Sequence, residues 1–515
     1  MSFPIEHPHL VRHLRHEHEA TQSDTRRLGL IVLCGAMFIS AVDSTIVNIA
    51  LPDISNDLNA GVGELQWVLD GFLVSLAGLL LVGSGLADHF GRRRVFLAGF
   101  CGFAVTSVLA ALAQTPIELI GARVLMGASA ACVLPPALSL IAVMFTPEER
   151  PGALAIWASV AGVGLSAGPI IGGILVPNVG WQSVFLVNVP FAIAAVPLGL
   201  RALPESTRPG APPLDLVGAG LSIVALASIV FTLIEGVDAG WTSPEVITTA
   251  VVGVAAGIAF VRTELRKRYP LFDVRVLARP KVIAGASAIV AMYIAFLGVL
   301  FLLPQYLQYV HHRSPFATAI ILTPLGVGTI VTARFNERVL KALGMRLVIS
   351  GGCVAMAGSI ALLLLLGSTT SVVVVMLSMG LFGGIIPLAI APATAVIMDD
   401  VGEEKAGDGG AVNQLARQVG GALGVAIIGS VFAGVYAHRV DFRLTGLSQA
   451  ARDRAGESIE EAREVISGTP TALHAHLVGR IDDSFDIAAR TGFAVAVGLL
   501  LVAALVSAVM LGRDA

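Results

Sequence analysis

Charge is what this sequence has least of. Asp, Glu, Lys and Arg make up 13% of its 515 residues, about half the share found in ordinary soluble domains. A water-facing surface cannot be built from that composition, and a mean hydropathy of +0.83 points the same way. No basic stripe runs outside the short connections, which excludes a nucleic-acid partner. Aromatics are also few, at 6%, whereas 56 residues are glycine; small residues let helix backbones approach closely in lipid. The four cysteines, Cys34, Cys101, Cys132 and Cys353, sit singly inside apolar stretches, so neither a disulfide framework nor a metal site is expected. A P-loop and an HExxH helix are both missing, which leaves ATP-driven transport and metal-dependent hydrolysis without support and argues against an enzyme. Residues 1–27 lack the apolar core of a signal peptide, so no cleaved leader is expected and the first apolar run must itself insert. His7, His9, His13, His16 and His18 in this tail have no fixed ligand spacing and read as solvated residues.

Long apolar runs fill the rest of the chain. Fourteen lie near 28–50, 64–86, 94–114, 117–144, 152–176, 182–202, 216–236, 246–264, 282–304, 315–334, 346–367, 370–398, 409–433 and 490–512. Crossing a bilayer takes about 20 residues, and backbone in lipid must satisfy its own hydrogen bonds. The expected fold class is therefore an all-α polytopic membrane protein with 14 transmembrane helices. With the N-terminus inside, most of the 33 basic residues fall on the inner side. They include Arg92-Arg93-Arg94 and the group Arg262, Arg266, Lys267, Arg268, Arg275, Arg279 and Lys281, while the short outer loops hold only Arg313. Positive residues stay on the cytoplasmic side, so both termini are expected there, in the plasma membrane.

The chain also repeats itself. Met126-Gly127 precedes Pro135 and then Glu148-Glu149-Arg150-Pro151-Gly152; much later Met379-Gly380 precedes Pro387 and then Glu403-Glu404-Lys405-Ala406-Gly407. The expected organisation is a tail (1–27), a six-helix half (28–202), two linking helices (203–281) and a second six-helix half (282–512). The second half carries an outer insert at 437–488. Two related halves around a central site are the frame of alternating access.

Three segments carry chemistry. Asp43, in Val42-Asp43-Ser44-Thr45-Ile46-Val47-Asn48-Ile49-Ala50-Leu51-Pro52, is the one carboxylate in the run from Leu28 to Ala50. An acid inside a span costs roughly 2.5–3.5 kcal/mol and marks a functional site by default. Between spans 2 and 3, Asp88 stands beside Arg92, Arg93 and Arg94; such charges make bonds that open and re-form as helices rock. Span 5 contains Gly164, Gly168, Pro169, Gly172 and Gly173, a smooth face for a close neighbour with a proline that bends the helix.

With these segments in view, the sequence resembles the major facilitator superfamily, specifically its fourteen-span drug/proton antiporter branch of multidrug and quaternary-ammonium exporters. Val42–Pro52 resembles that branch's first-helix motif, and Gly164–Gly173 the antiporter motif of helix 5. Leu119–Gly127 resembles the helix 4 motif with its buried arginine, Arg123, and Trp181–Pro190 is also typical. Ser84, His89 and Met126 depart from the usual pattern.

The resemblance implies a proton-coupled secondary exporter of hydrophobic, often cationic compounds. It implies no cofactor, with the proton gradient as energy source. Its partners would be a lipophilic small molecule, protons and membrane lipid, and it would act as a monomer. Asp43, Asp70 and Arg123 are the implied proton-coupling set. At 1.5 Å per residue, Asp43 lies about 22 Å from the inner end of its span, Asp70 roughly 6 Å deep and Arg123 about 9 Å below the outer end, all in the outer half. Burial disfavours a charged carboxylate and a nearby guanidinium favours it, an opposition suited to proton exchange. Asn48, Trp67, Gln305, Tyr306, Asn413 and Arg417 are candidates for the substrate cavity. In the insert, Ala451–Arg463 is helix-forming and Gly468-Thr469-Pro470 a break, so an outer helical hairpin is expected. The alternatives are a lipid or lipid-precursor transporter of the same fold, a membrane enzyme or sensor, and a channel, which the two-halves repeat disfavours.

Overall fold

The structure is a computed structural model. It describes residues 8–146, 148–208, 213–267, 270, 273–365, 367, 371–402, 406–444, 448–467 and 471–512, with side chains from Thr25 onward except at 151, 155, 158, 238, 406–407, 442 and 471–475. The tail histidines' side chains, Pro147, Glu403–Lys405 and the expected break at 468–470 lie outside this description. Among the described residues the regular structure is helical throughout.

Fourteen helices are long and apolar enough to cross a membrane. They are α1 (Thr25–Leu58), α2 (Val62–Phe90), α3 (Arg92–Ala111), α4 (Pro116–Met144), α5 (Gly152–Val179), α6 (Ser183–Ala202) and α7 (Leu216–Glu235). They continue with α8 (Pro244–Arg266), α9 (Pro280–Tyr309), α10 (Pro315–Ala333), α11 (Asn336–Leu365), α12 (Val372–Val401), α13 (Asp408–Asp441) and α14 (His476–Met510). Local sequence sets many of the starts. Thr115 and Ser314 each accept a hydrogen bond from a backbone N–H three residues on, with Pro116 or Pro315 at the first helical position. Asp215 caps α7 in the same way through Gly218.

The last two spans reach further than the apolar pattern implies. Helix continues from Ala406 to Arg443 and resumes at Thr471, so only two short helices, Gln449–Glu457 and Ile459–Ser467, occupy the middle of the insert. The extensions hold because they pair with each other: Arg443 donates to the Arg480 carbonyl and meets Asp483 at 3.0 Å. Ile459, Ala462 and Ile466 form a buried stripe at helical spacing. Arg463 donates to the Tyr309 carbonyl at 2.7 Å and lies 3.5 Å from Asp482, tying the insert to α9 and α14. Burial pushes the Glu460 carboxyl above its ordinary value, with the Tyr309 hydroxyl pulling it back.

Within the first six helices, α1 packs on α5 and α6, α2 on α4, and α3 on α4 and α6. Shifted by eight, the same relations recur: α9 on α13 and α14, α10 on α12, α11 on α12 and α14. The halves meet where α2 packs on α13 and α5 on α10. The pair α7–α8 breaks this symmetry, because α7 lies against both α2 and α13 and covers that seam. Large apolar side chains such as Val254, Val327 and Ile330 are more than half exposed; in a bilayer those faces meet lipid.

Candidate functional site: a buried acid–guanidinium pair beside a cavity between the halves

Below, the face holding the α1–α2 turn is the upper one. Asp43 is brought to its partner by the approach of α1 to α5. Pro169 has no N–H, which frees the Leu165 carbonyl one turn earlier, and Thr45 on α1 donates to that oxygen at 3.1 Å. Gly164, Gly168 and Gly172 line this contact: a Cβ on Gly164 would stand 2.7 Å from the Phe38 carbonyl, and one on Gly168 would stand 2.0 Å from Thr45 Oγ1. Gly173 points the other way, onto Ala319 and Pro315 of α10. The span 5 motif is thus a two-sided packing surface, serving α1 and the second half.

Asp43 and Arg123, 0% and 1% exposed, meet at 2.7 Å between Oδ2 and Nη1. Arg123 Nε donates to the Val68 carbonyl at 2.9 Å, and the guanidinium lies 4.5 Å over the Phe72 ring. Desolvating such a pair offsets most of its attraction, so it adds little to stability. Asn188 Nδ2 donates to Asp43 Oδ1 at 3.2 Å and to Ser107 Oγ at 3.0 Å. Sequence reasoning gave neither Asn188 nor Ser107 a role. Both are polar residues in apolar runs, the signal that singled out Asp43.

Asp70 is not in this cluster. It starts its third turn into α2, fully buried, and both carboxylate oxygens lack a hydrogen-bond partner among the described residues. Gln66, one turn earlier, reaches the Val425 and Ala426 carbonyls of α13, and the Trp67 ring lies 6.2 Å from Phe231 of α7. Asp70 shares that strip, on the opposite side of α2 from Val68 and Phe72. Trp67 therefore faces α7 rather than the central space.

Two cavities occupy that space. One is a narrow space lined by Ser44, Asn48, Phe72, Arg123, Leu297 and Val425. The other, somewhat larger, lies between α5 and the second half and is lined by Leu165, Tyr293, Phe296, Leu325, Met356 and Ile390 among others, with no carboxylate. Arg417 stands behind it, 5.7 Å from the Tyr293 ring centre, and Asn413 accepts from Thr394 at 3.0 Å. Gln305 and Tyr306 lie higher: Gln305 donates to the Phe301 carbonyl, and the Tyr306 hydroxyl is 3.2 Å from His311. Above the cavities the halves are joined by Gln66 to α13 and by Gln308, which donates to the Ile49 carbonyl at 3.1 Å.

The charged turn between α2 and α3 is bound by the segment that follows the first half. Gly91, at φ +107°, separates the helices. Asp88 takes Arg92 at 2.9 Å, and the segment after α6 lies along the turn. Ser206 O accepts from Arg92 N–H at 2.9 Å and Asp88 O from Arg208 N–H at 3.0 Å. Glu205 accepts from Arg93 N–H at 3.2 Å and lies within 3.7 Å of both Arg93 and Arg94. It thereby caps α3 from a distant segment. Glu205→Ala is expected to cost about 1 kcal/mol, the usual worth of a cap, and to speed tryptic cleavage after Arg92–Arg94 in detergent-solubilised protein. Unchanged cleavage would show that the carboxylate does not hold this turn.

Known proteins are similar to this chain in sequence and in fold. The sequence profile of the Major Facilitator Superfamily matches residues 33–425. The chain is 35% identical over 490 residues to a tetracenomycin C resistance and export protein of Streptomyces glaucescens, covering 93% of this chain and 90% of that one. It is 31% identical over 504 residues to the multidrug efflux pump LfrA of Mycolicibacterium smegmatis, covering 96% and 99%. To the methyl viologen resistance protein SmvA of Salmonella typhimurium it is 30% identical, covering 86% and 90%. In fold it is similar to a bacterial homologue of the human lysosomal transporter Spinster, with a TM-score of 0.66 at 16% identity over 94% of this chain and 97% of that one. Fourteen membrane helices, paired six-helix halves and a match over most of its length identify the chain as a multi-pass transporter that belongs to the Major Facilitator Superfamily.

Proposed function

We propose that this transporter exports hydrophobic, often cationic, drug-like compounds across the plasma membrane by alternating access, driven by inward proton flow, with both termini cytoplasmic. The observation that carries the reading is the fully buried Asp43–Arg123 pair, whose guanidinium side lines a cavity between the halves. An acid so placed exchanges a proton at low cost only when its neighbours rearrange, which ties protonation to conformation. The upper seal through Gln66 and Gln308 supports a state closed at the upper, outer face. The basic residues of the lower connections support the orientation, and the relatives' export and resistance activities support the substrate class.

The test is uptake of a fluorescent lipophilic cation by inside-out vesicles under an imposed pH gradient. Wild-type uptake is expected to collapse with a protonophore; uptake indifferent to the gradient would remove proton coupling. Asp70→Asn is expected to weaken accumulation of cations more than that of neutral compounds, since Asp70 is a buried carboxyl group with neither oxygen partnered among the described residues. The apolar lining of the larger cavity favours a second reading, a lipid or lipid-precursor transporter. Cation uptake insensitive to Asp70→Asn, together with flux of a labelled lipid, would favour it.

A further inference from the structure

Asn188 stands where α6 changes course. Ser183–Leu186 is a single turn, and the long part of the helix begins at Asn188, which sets its amide, 1% exposed, at the junction of α1, α3 and α6. Both amide hydrogens are used, one on Asp43 Oδ1 and one on Ser107 Oγ. Ser107 passes its own hydrogen to the Phe103 carbonyl at 2.7 Å. The amide oxygen, by contrast, is buried without a partner among the described residues. An unmade acceptor in the interior is costly and uncommon, and this one sits on the group that already contacts the acid.

We infer that Asn188 is a positioning residue that follows the protonation state of Asp43, donating to the ionised carboxylate and turning its amide over to accept from the protonated one. The inference rests on the reading of Asp43 as the proton-binding group. An ionised carboxylate only accepts hydrogen bonds, whereas a protonated one must also donate. A half-turn of the amide exchanges Nδ2 for Oδ1 in front of Asp43, so the new O–H meets the oxygen that now lacks a partner. Ser107 then rotates its hydroxyl from Phe103 to the same oxygen. One proton arrives on Asp43 Oδ1 and no other covalent bond changes, while the Nδ2 bonds to Asp43 and Ser107 and the Ser107–Phe103 bond are given up. Arg123 loses its counter-charge and becomes the free charge of the cavity it shares with Asn48 and Leu297.

The surroundings leave few competing titrations. Among the described residues, Arg123 from α4 is the charged group facing Asp43. The acid of α2, Asp70, lies toward α13 and α7. The α3, α5 and α6 helices bring Ser107, glycines and Asn188, and the ionisable Tyr306 and Tyr309 of α9 lie higher, at the insert.

The experiment is an infrared pH titration of the full-length protein in lipid, comparing wild type, Asp43→Asn and Asn188→Leu. In wild type the protonated-carboxyl band that Asp43→Asn removes is expected to grow as pH falls, together with a shift of a side-chain amide band. Asn188→Leu is expected to abolish the amide change and raise the carboxyl midpoint by up to about one pH unit, the margin by which a hydrogen bond to the charged carboxylate exceeds the neutral one it replaces. Should the leucine variant fail to fold, Asn188→Ser keeps one donor but loses the amide, and its midpoint is expected above that of wild type, with the amide change absent. An unmoved midpoint in the variants, or a wild-type amide band that ignores pH, overturns the role of Asn188. If Asp43→Asn removes no titrating band, Asp43 is overturned as the proton site instead.

Discussion

Asp43→Asn is expected to reduce pH-gradient-driven accumulation to the level of protein-free vesicles while the protein still folds. Asn keeps the size of the side chain and an oxygen for Arg123 at the 2.7 Å position, but it cannot bind and release a proton. Asp43→Ala is expected to be worse in a different way. Both substitutions remove the counter-charge of a guanidinium that is 1% exposed, but alanine also removes the oxygen that accepts from it and leaves a gap, and breaking a buried pair by removing one partner costs about 3–5 kcal/mol. The two substitutions thus separate coupling from stability. Substrate binding, read by fluorescence quenching, should survive in the asparagine variant, and thermal unfolding in detergent should show the alanine variant well below wild type. Normal gradient-driven transport by Asp43→Asn would mean that the proton binds elsewhere, with Asp70 the next acid to test.

Gly168→Ala is expected to have the second-largest effect, although it adds one methyl group. A Cβ there would stand 2.0 Å from Thr45 Oγ1, 2.9 Å from the Val42 carbonyl and 3.1 Å from Ile46 N. Two of these atoms are backbone, so relief requires α1 to move away from α5. Overpacking costs about 1–3 kcal/mol, against about 1 kcal/mol that Ala gains over Gly in a helix. The displaced helix also carries Asp43, so transport should fall more than stability does. Gly162→Ala in the same helix is the control, because its nearest neighbour would be Thr329 Cγ2 at 3.9 Å. Unfolding temperatures are expected in the order Gly162→Ala, wild type, Gly168→Ala. Equal temperatures and equal transport rates for all three would show that the glycine face does not set the spacing of α1.

Much of the fold is legible in the chain because lipid makes hydrophobicity nearly one-dimensional. A run such as 117–144 has to be helical, and the structure gives Pro116–Met144 with one turn at Cys132–Val133 between two helical stretches. The same logic fails where the solvent changes. The apolar signal of α14 begins near residue 490, yet its spanning helix starts at His476, since Arg443 and Arg480 hold the extension outside the apolar zone. Asp43 stood out because one carboxylate in an apolar run is conspicuous, and Arg123 because the resemblance supplied its motif. Asn188 and Ser107 went unread because amides and hydroxyls are cheap enough in a span to look like filler.

By itself, then, the sequence determined the membrane class, the number of spans and which spans carry charge, all of which depend on composition along the chain. Only the tertiary structure decided which charges meet. It set Arg123 on Asp43, turned Asp70 and Trp67 toward α7 and α13, bound the Asp88–Arg94 turn to Glu205, and laid α7 over one seam between the halves. Those outcomes depend on the angle at which each residue leaves its helix and on how closely glycine lets two backbones approach, and neither is written in hydropathy.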